Sequence, residues 1–453
     1  MSEKLKRPRV VIIGGGFGGL QAAKEFGNKQ VDVTLIDRKN HHTFQPLLYQ
    51  VATAVLSPGE IASPIRRILY KYKNVEVILG EVSGFDLEKQ TVELQECTGG
   101  ACEVPYDYLI VAAGARHSYF GHDEWEKEAP GLKTVEDAVE IRRRVLLAFE
   151  LAEREAYLSG KKPHLSFVVI GGGPTGVEMA GAIAGIARQA LAKDFNLIDT
   201  SKALVMLFEG SDRILNTFDP ELSEKAKKQL EDLGVEVYLN SFVTDVEEGR
   251  VKVGEKWFEC DVAVWATGVA ASPLGKALGV ETDRAGRVLV QPDLTVPNHK
   301  NVFVIGDMAS IKRENGQPVP GVAPAAIQMA ENAAANILRD LSGKPRENFR
   351  YVDKGSMATI GRNKAIAEIG KLKLSGFIAW LAWVFVHLIS LIGFRNRVSV
   401  MSEWVWAYFT RERSARLIVG DAHEMQEKMH FHEMKAMNEA AAAPAKKILE
   451  TAK

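Results

Sequence analysis

The sequence predicts an α/β fold of two Rossmann-like dinucleotide-binding domains, one inserted in the other, plus a C-terminal helical membrane-attachment region. Three observations predict it. A glycine-rich turn, Gly14-Gly15-Gly16-Phe17-Gly18-Gly19, follows the apolar run Val10-Val11-Ile12-Ile13. A second, Gly171-Gly172-Gly173-Pro174-Thr175-Gly176, follows Phe167-Val168-Val169-Ile170. Beyond both, the chain carries no full charge from Leu374 to Phe394.

Each turn closes a buried-strand pattern and opens a helix pattern. The first glycine allows the tight bend, the second lets the backbone approach a pyrophosphate, and the third lets the helix pack on the strand. Gly14, Gly16 and Gly19 take these roles first; Gly171, Gly173 and Gly176 take them second. The helix N-terminus then stabilises phosphate charge. An acid at the end of the next strand should bind a ribose hydroxyl. Asp37 ends Val31 to Ile36, and Glu209 ends Ala203 to Phe208. Two such sites in one polypeptide indicate a flavin in one half and a nicotinamide donor in the other. A carboxylate at Glu209 repels a 2′-phosphate and favours NADH over NADPH, while nearby Arg213 keeps NADPH open.

A chain of 453 residues suffices for two or three domains. With 57 basic and 58 acidic residues it has no global field pointing to nucleic acid. Cys97, Cys102 and Cys260 form no C-x-x-C, which argues against disulfide redox chemistry and fits a reducing cytosolic face. Lys4, Lys6, Arg7 and Arg9 lead directly into the first strand, so no signal peptide is expected.

The two turns set the domain map. The first domain is expected over residues 1–120 and 290–375, and the second, with its connecting helix, over 121–289. C-terminal helices follow over 376–420 and a polar tail over 421–453. Thr134-Val135-Glu136-Asp137 predicts a capping box opening an amphipathic helix to about Ser159. Strand patterns ending in small residues, Tyr106 to Gly114 and Val262 to Gly268, recur in the two halves. Asn301 to Ile305 then returns the chain to the first domain, ending at Gly306-Asp307. The Asp307 carboxylate is placed to accept a hydrogen bond from a flavin ribityl hydroxyl.

Four further stretches narrow the class. They are Phe44 to Ala52 (FQPLLYQVA), Trp265 to Val269 with Ser272 to Gly275, Gly355 to Arg362 (GSMATIGR), and Gly393 to Arg397 (GFRNR). Through them the chain to about Val419 resembles the type II NADH dehydrogenases, single-subunit, non-proton-pumping NADH:quinone oxidoreductases. The resemblance implies FAD held by Gly14, Gly16, Gly19, Asp37, Arg38, Val82, Gly114, Gly306, Asp307 and Ala323. It implies NADH held by Gly171, Gly173, Gly176, Glu209, Thr267 and Gly268. Glu178 is implied near the nicotinamide and flavin, with a first-turn helix acid as the plain structural alternative. The family's A-Q-x-x-x-Q quinone motif stands here as Ala323-Pro324-Ala325-Ala326-Ile327-Gln328. Gln328 keeps the second glutamine, while Pro324 offers neither amide nor N–H. A homodimer through the C-terminal helices is implied by the resemblance alone.

The uncharged C-terminal segment is long enough to span a bilayer. However, Gly376, Trp380, Trp383, His387 and Ser390 share one helical face, which favours a helix lying in the interface with its tryptophans at headgroup level. Lys371, Lys373, Arg395 and Arg397 flank it and suit anionic lipids. A buried core or dimer helix is the third reading. Monotopic attachment at the cytoplasmic face of an inner membrane is the expectation. Deleting the chain after Leu372 should then leave a soluble protein that oxidises NADH with a dye. His423, His430 and His432 in the tail read as solvated residues, and no metal is expected. Two rivals remain. One is a soluble flavoprotein NAD(P)H reductase of a small electron-carrier protein. The other is a redox-silent nucleotide-binding, membrane-docked protein. Sulfide:quinone oxidoreductase would need sulfur-handling cysteines at the flavin, and these three sit in no such motif.

Overall fold

The computed structural model describes residues 7–95 and 102–418. The chain to Ala415 forms one compact unit, and a separate unit begins at Arg416, of which 416–418 are described as irregular backbone. Cys97, His423, His430 and His432 lie outside the described residues.

Two parallel sheets carry the fold. The first orders its strands Thr295–Val296, His299–Val304, Tyr108–Val111, Arg9–Ile13, Asp32–Asp37 and Val75–Leu79. All pair in parallel except the Thr295–Val296 edge. The strand His299–Val304 adds to a sheet begun nearly three hundred residues earlier, so the second domain is an insertion. The second sheet orders Val235–Tyr238, Leu204–Phe208, Ser166–Ile170 and Val262–Trp265, all parallel. Both central strands are buried from their second residue onward, as continuous apolar runs in parallel sheets should be.

The connecting helix runs Val135–Ser159, capped reciprocally by Thr134 and Asp137 and closed by left-handed Gly160. This matches the sequence expectation at both ends. The domains are also stitched where Ala115–His117 pairs antiparallel with Val269–Ala271.

The three-stranded antiparallel sheet Ser356–Gly361, Lys364–Ile369, Leu372–Ser375 falls in the span assigned to the first domain. It packs on helices Pro174–Gly185 and Pro220–Glu231 of the second and on the C-terminal helix Phe377–Ser390. A Cβ on Gly181 would lie 1.8 Å from the Ile360 carbonyl oxygen, so only glycine permits this approach. Lys364 pairs with Asp232 at 3.3 Å, and Glu368 accepts from the Asp219 N–H at 2.9 Å.

The uncharged segment folds as the helix Phe377–Ser390; after a break at Gly393, with φ +92°, a second helix, Phe394–Thr410, carries Arg395, Arg397 and Glu403. No helix among the described residues is long and apolar enough to cross a membrane. The orientation of the first helix departs from expectation. Trp383 is 2 % exposed and stacks on His387 (centroids 4.2 Å), near Trp404 (5.6 Å) and Tyr49 (6.4 Å). The indole and imidazole side therefore faces the protein, and the aliphatic side, with Phe385 65 % exposed, faces out. An indole buries more area than a leucine and packs well on other rings, so it wins the inward position.

Cys102 is disulfide-bonded and Cys260 is a buried free thiol.

Candidate active site

The two glycine turns are built alike, atom for atom. Gly14 N donates to Ile36 O and Gly171 N donates to Phe208 O, both at 2.8 Å. Gly14 and Gly171 take φ +98° and +110°, where a side chain would be strained. A Cβ on Gly19 would sit 1.8 Å from Gly14 O, and one on Gly176 1.8 Å from Gly171 O. These third glycines serve helix packing. The middle glycines differ: a Cβ on Gly16 or Gly173 would meet nothing within 4 Å. Each faces open space at a helix N-terminus, the place a pyrophosphate needs.

The two acids also correspond. Asp37 Oδ2 accepts from Gly15 N at 2.5 Å, and its Oδ1 from Lys39 N at 2.6 Å. Glu209 Oε2 accepts from Gly172 N at 2.6 Å, and its Oε1 from Ser211 N and Oγ at 2.7 and 2.6 Å. Each carboxylate is thus locked to its turn. Arg213 is engaged within its own loop, donating to Asn216 O at 3.3 Å and lying 3.7 Å from Asp212.

A cleft of about 1350 Å³ opens at the C-terminal ends of the first sheet. That exceeds the roughly 300–1,000 Å³ of ordinary small-molecule pockets. Gly14, Gly16, Asp37, Arg38, Val82, Gly114, Gly306, Asp307 and Ala323 line it; Gly19 lies behind as packing. The residues present fit FAD: an open turn for the pyrophosphate, a strand-end acid, and Asp307 along the same wall. Lys133 lines the cleft too, its Nζ 4.0 Å from Asp307 Oδ2. Sequence reading missed Lys133, because a lone lysine before a capping box carries no signal.

Of the second-turn residues, Gly171, Gly173, Gly176, Glu209, Thr267 and Gly268 gather at the strand ends of their own sheet, outside this cleft. A Cβ on Gly171 would lie 2.7 Å from Thr267 Cβ, so Thr267 borders the turn directly. The next residues of the same helix, Pro174, Thr175 and Glu178, do line the large cleft. The helix Pro174–Gly185 therefore begins at the second glycine turn and walls the cleft of the first.

Glu178 lies at that wall, largely withdrawn from water. Burial pushes its carboxyl up to about 8, against a backbone hydrogen bond from Thr359 that lowers it. Tyr49 stands nearby; burial and the Glu178 charge push its phenol well above the ordinary range. His42 donates Nδ1–H to Gly15 O at 3.0 Å, the carbonyl fixing that tautomer, and burial lowers the ring to about 4. His42 and Tyr49 are thus neutral at physiological pH, and Glu178 is biased toward its protonated form.

The C-terminal helices complete the site. Trp404 Nε1 donates to Gln50 Oε1 at 2.6 Å, and Gln50 Nε2 donates to Tyr49 Oη at 2.8 Å. His387 lines the cleft and meets Phe44 edge-on at 6.3 Å. Arg413 is half-buried, its guanidinium donating to Thr53 O and, at 3.0 Å, to Ala182 O. Removing everything after Leu372 would strip these contacts, so the expected soluble truncation is not a clean test.

Gln328 is placed differently from expectation. Its Nε2 donates to Val352 O at 3.0 Å and its Oε1 accepts from Val352 N at 2.9 Å. The amide is spent on backbone and is absent from the cleft wall, whereas Pro324, Met357 and His387 line it.

Comparison with known proteins agrees with this geometry. The pyridine nucleotide-disulphide oxidoreductase family model matches residues 8–330, and the NDH2 C-terminal domain model matches 354–412. The chain is 47 % identical to the type II NADH:quinone oxidoreductase NdhA of Mycobacterium tuberculosis, over 96 % of this chain and 95 % of that protein. It is 45 % identical to Ndh of the same organism, over 97 % of each. The solved structure of Plasmodium falciparum NDH2 in complex with NADH superposes with a TM-score of 0.81 at 21 % identity, covering 91 % of this chain and 100 % of that one. A sulfide:quinone oxidoreductase from Aquifex aeolicus shares the fold at a TM-score of 0.69 and 18 % identity, over 91 % and 96 % of the two chains. With a family model over most of its length and relatives near half identity end to end, the chain belongs to the type II NADH:quinone oxidoreductases.

Proposed function

We propose that this chain oxidises NADH at the second turn and reduces a membrane quinone at the far side of the large cleft, without pumping protons. The observation that carries this reading is the helix Pro174–Gly185, which starts at the second turn and presents Glu178 to the cleft of the first. FAD, when bound, supplies the two-electron chemistry that joins the substrates.

Gly14, Gly16, Asp37, Arg38, Val82, Gly114, Gly306, Asp307 and Ala323 would hold it. Gly171, Gly173, Glu209, Thr267 and Gly268 hold NADH, with Gly176 setting the helix close. Glu178 orients the nicotinamide against the cleft, its protonated carboxyl donating a hydrogen bond at neutral pH. Gln328 supports the cleft wall through Val352 rather than touching quinone, and Tyr49, Met357 and His387 face the acceptor instead. The Glu209 carboxylate favours NADH over NADPH.

The enzyme attaches monotopically, on the cytoplasmic face of an inner membrane. Phe377, Ile378, Phe385, Ile389, Phe394 and Phe409 are exposed along the two C-terminal helices. Exposed Lys371, Arg395 and Arg397 rim them. This apolar face with a basic border suits insertion into anionic headgroups and brings the cleft to a quinone dissolved in lipid. A homodimer through the same face is the competing arrangement.

Steady-state NADH oxidation against a quinone analogue, a small electron-carrier protein and no added acceptor tests the assignment. Turnover with the quinone alone is expected. Turnover with the carrier protein alone would support a soluble reductase, and none with any acceptor would leave a redox-silent binding protein.

A further inference from the structure

Two phenylalanines stand exposed at opposite ends of the second domain's sheet, each laid against a glycine. Phe242 is 71 % exposed and follows the strand Val235–Tyr238. A Cβ on Gly210 would come within 2.7 Å of two of its ring carbons. Gly210 directly follows Glu209, so the ring lies beside the acid of the turn. Phe120 is 68 % exposed and takes φ +56°, a left-handed backbone unusual for a bulky aromatic. A Cβ on Gly268 would lie 2.9 Å from its Cζ. Scattered surface rings are ordinary; rings seated on strand-end glycines at both flanks of one turn are not.

Sheet order says which end of a dinucleotide each ring meets. The turn follows the central strand Ser166–Ile170. The strand leading to Glu209 lies on one side of it and Val262–Trp265, leading to Gly268, on the other. Pyrophosphate sits at the turn and the acid takes the adenosine ribose. Adenine therefore lies on the Phe242 side and the nicotinamide riboside on the Phe120 side.

We propose that Phe242 stacks on the adenine of NADH and that Phe120 covers its nicotinamide riboside, the two rings bracketing the dinucleotide. The proposal rests on the reading of the second turn as the NADH site. The bare glycines let each ring approach its strand end closely, and both rings stay largely exposed to solvent. Both faces of a base accept such a ring without hydrogen-bond demands. A strained backbone at Phe120 is of the kind kept where a ligand is clamped.

Part-ligands separate the two ends. The FAD-loaded enzyme and its F242A, F242W and F120A variants are titrated with NADH, AMP and reduced nicotinamide mononucleotide. F242A should weaken NADH and AMP by roughly tenfold and leave the mononucleotide unchanged. F242W should restore AMP binding. F120A should weaken NADH and the mononucleotide but not AMP. Flavin content and Tm, read on every variant, should match the parent, since both side chains are exposed. Unchanged NADH affinity in both alanine variants, or AMP affinity untouched by F242A, would overturn the bracket. Failure of the parent enzyme to bind NADH at all would instead overturn the reading of the second turn.

Discussion

Trp404 Nε1 donates to Gln50 Oε1 at 2.6 Å, tying the second C-terminal helix to the helix that carries Tyr49 into the cleft. Gln50 is buried, and its other amide atom is committed to the Tyr49 hydroxyl. Trp404→Phe leaves Gln50 Oε1 without its donor, a loss of about 1–3 kcal/mol. Tm should fall by a few degrees. The kcat with a quinone analogue should drop more than the kcat with a water-soluble dye. Equal kcat ratios in the variant and the parent would mean that the bond only stabilises.

Glu178 should give stability a pH signature. Its carboxyl sits at about 8 in the fold against an ordinary 4.5. A raised carboxyl favours the folded state while protonated. That contribution is full below about pH 4.5 and is lost as pH rises to about 8. Glu178→Gln keeps the neutral form at every pH. Its Tm relative to the parent should rise between pH 5 and 8 and level off above. Stopped-flow reduction by NADH should also slow in the variant. An unchanged rate would remove Glu178 from the hydride site.

The glycine turns predict three separable failures. Gly16→Ala meets open space and should fold but lose FAD. Gly173→Ala should fold, keep FAD and lose NADH affinity. Gly19→Ala brings a Cβ to 1.8 Å from Gly14 O and should prevent folding of the first domain. Flavin absorbance, NADH titration and circular dichroism distinguish them. Folded, flavin-loaded Gly19→Ala would contradict the packing role.

Phe385 and Phe409, 65 % and 77 % exposed, should anchor the enzyme. The double variant Phe385→Asp, Phe409→Asp should stay folded and flavin-loaded but release from anionic vesicles in flotation. A double variant that still floats would place attachment elsewhere. Conversion from dimer to monomer without loss of flotation would assign the face to self-association.

Local pattern carried much of the fold. The turns, Asp37, Glu209, the Thr134 cap and the helix end at Ser159 all depend on neighbours close in sequence, so they are readable there. The packing of Ser356–Gly361 on the second domain depends on Gly181 meeting Ile360, which no periodicity records. A helical face is visible in sequence but its direction is not, so sequence alone suits Trp383 to a headgroup surface; rings from Tyr49 and Trp404 decide otherwise. Gln328 matched a motif, yet its amide was claimed by Val352, a partner set by chain tracing. Phe120 and Phe242 look like scattered aromatics until their glycines are located.

The most direct measurement is anaerobic titration of the purified FAD-loaded enzyme, first with NADH and then with a quinone analogue, following flavin absorbance. NADH should bleach the flavin and the quinone should restore it. Protein that is colourless after reconstitution with FAD, or a flavin that NADH does not bleach, would contradict the claim that two nucleotide sites meet at the helix of Glu178.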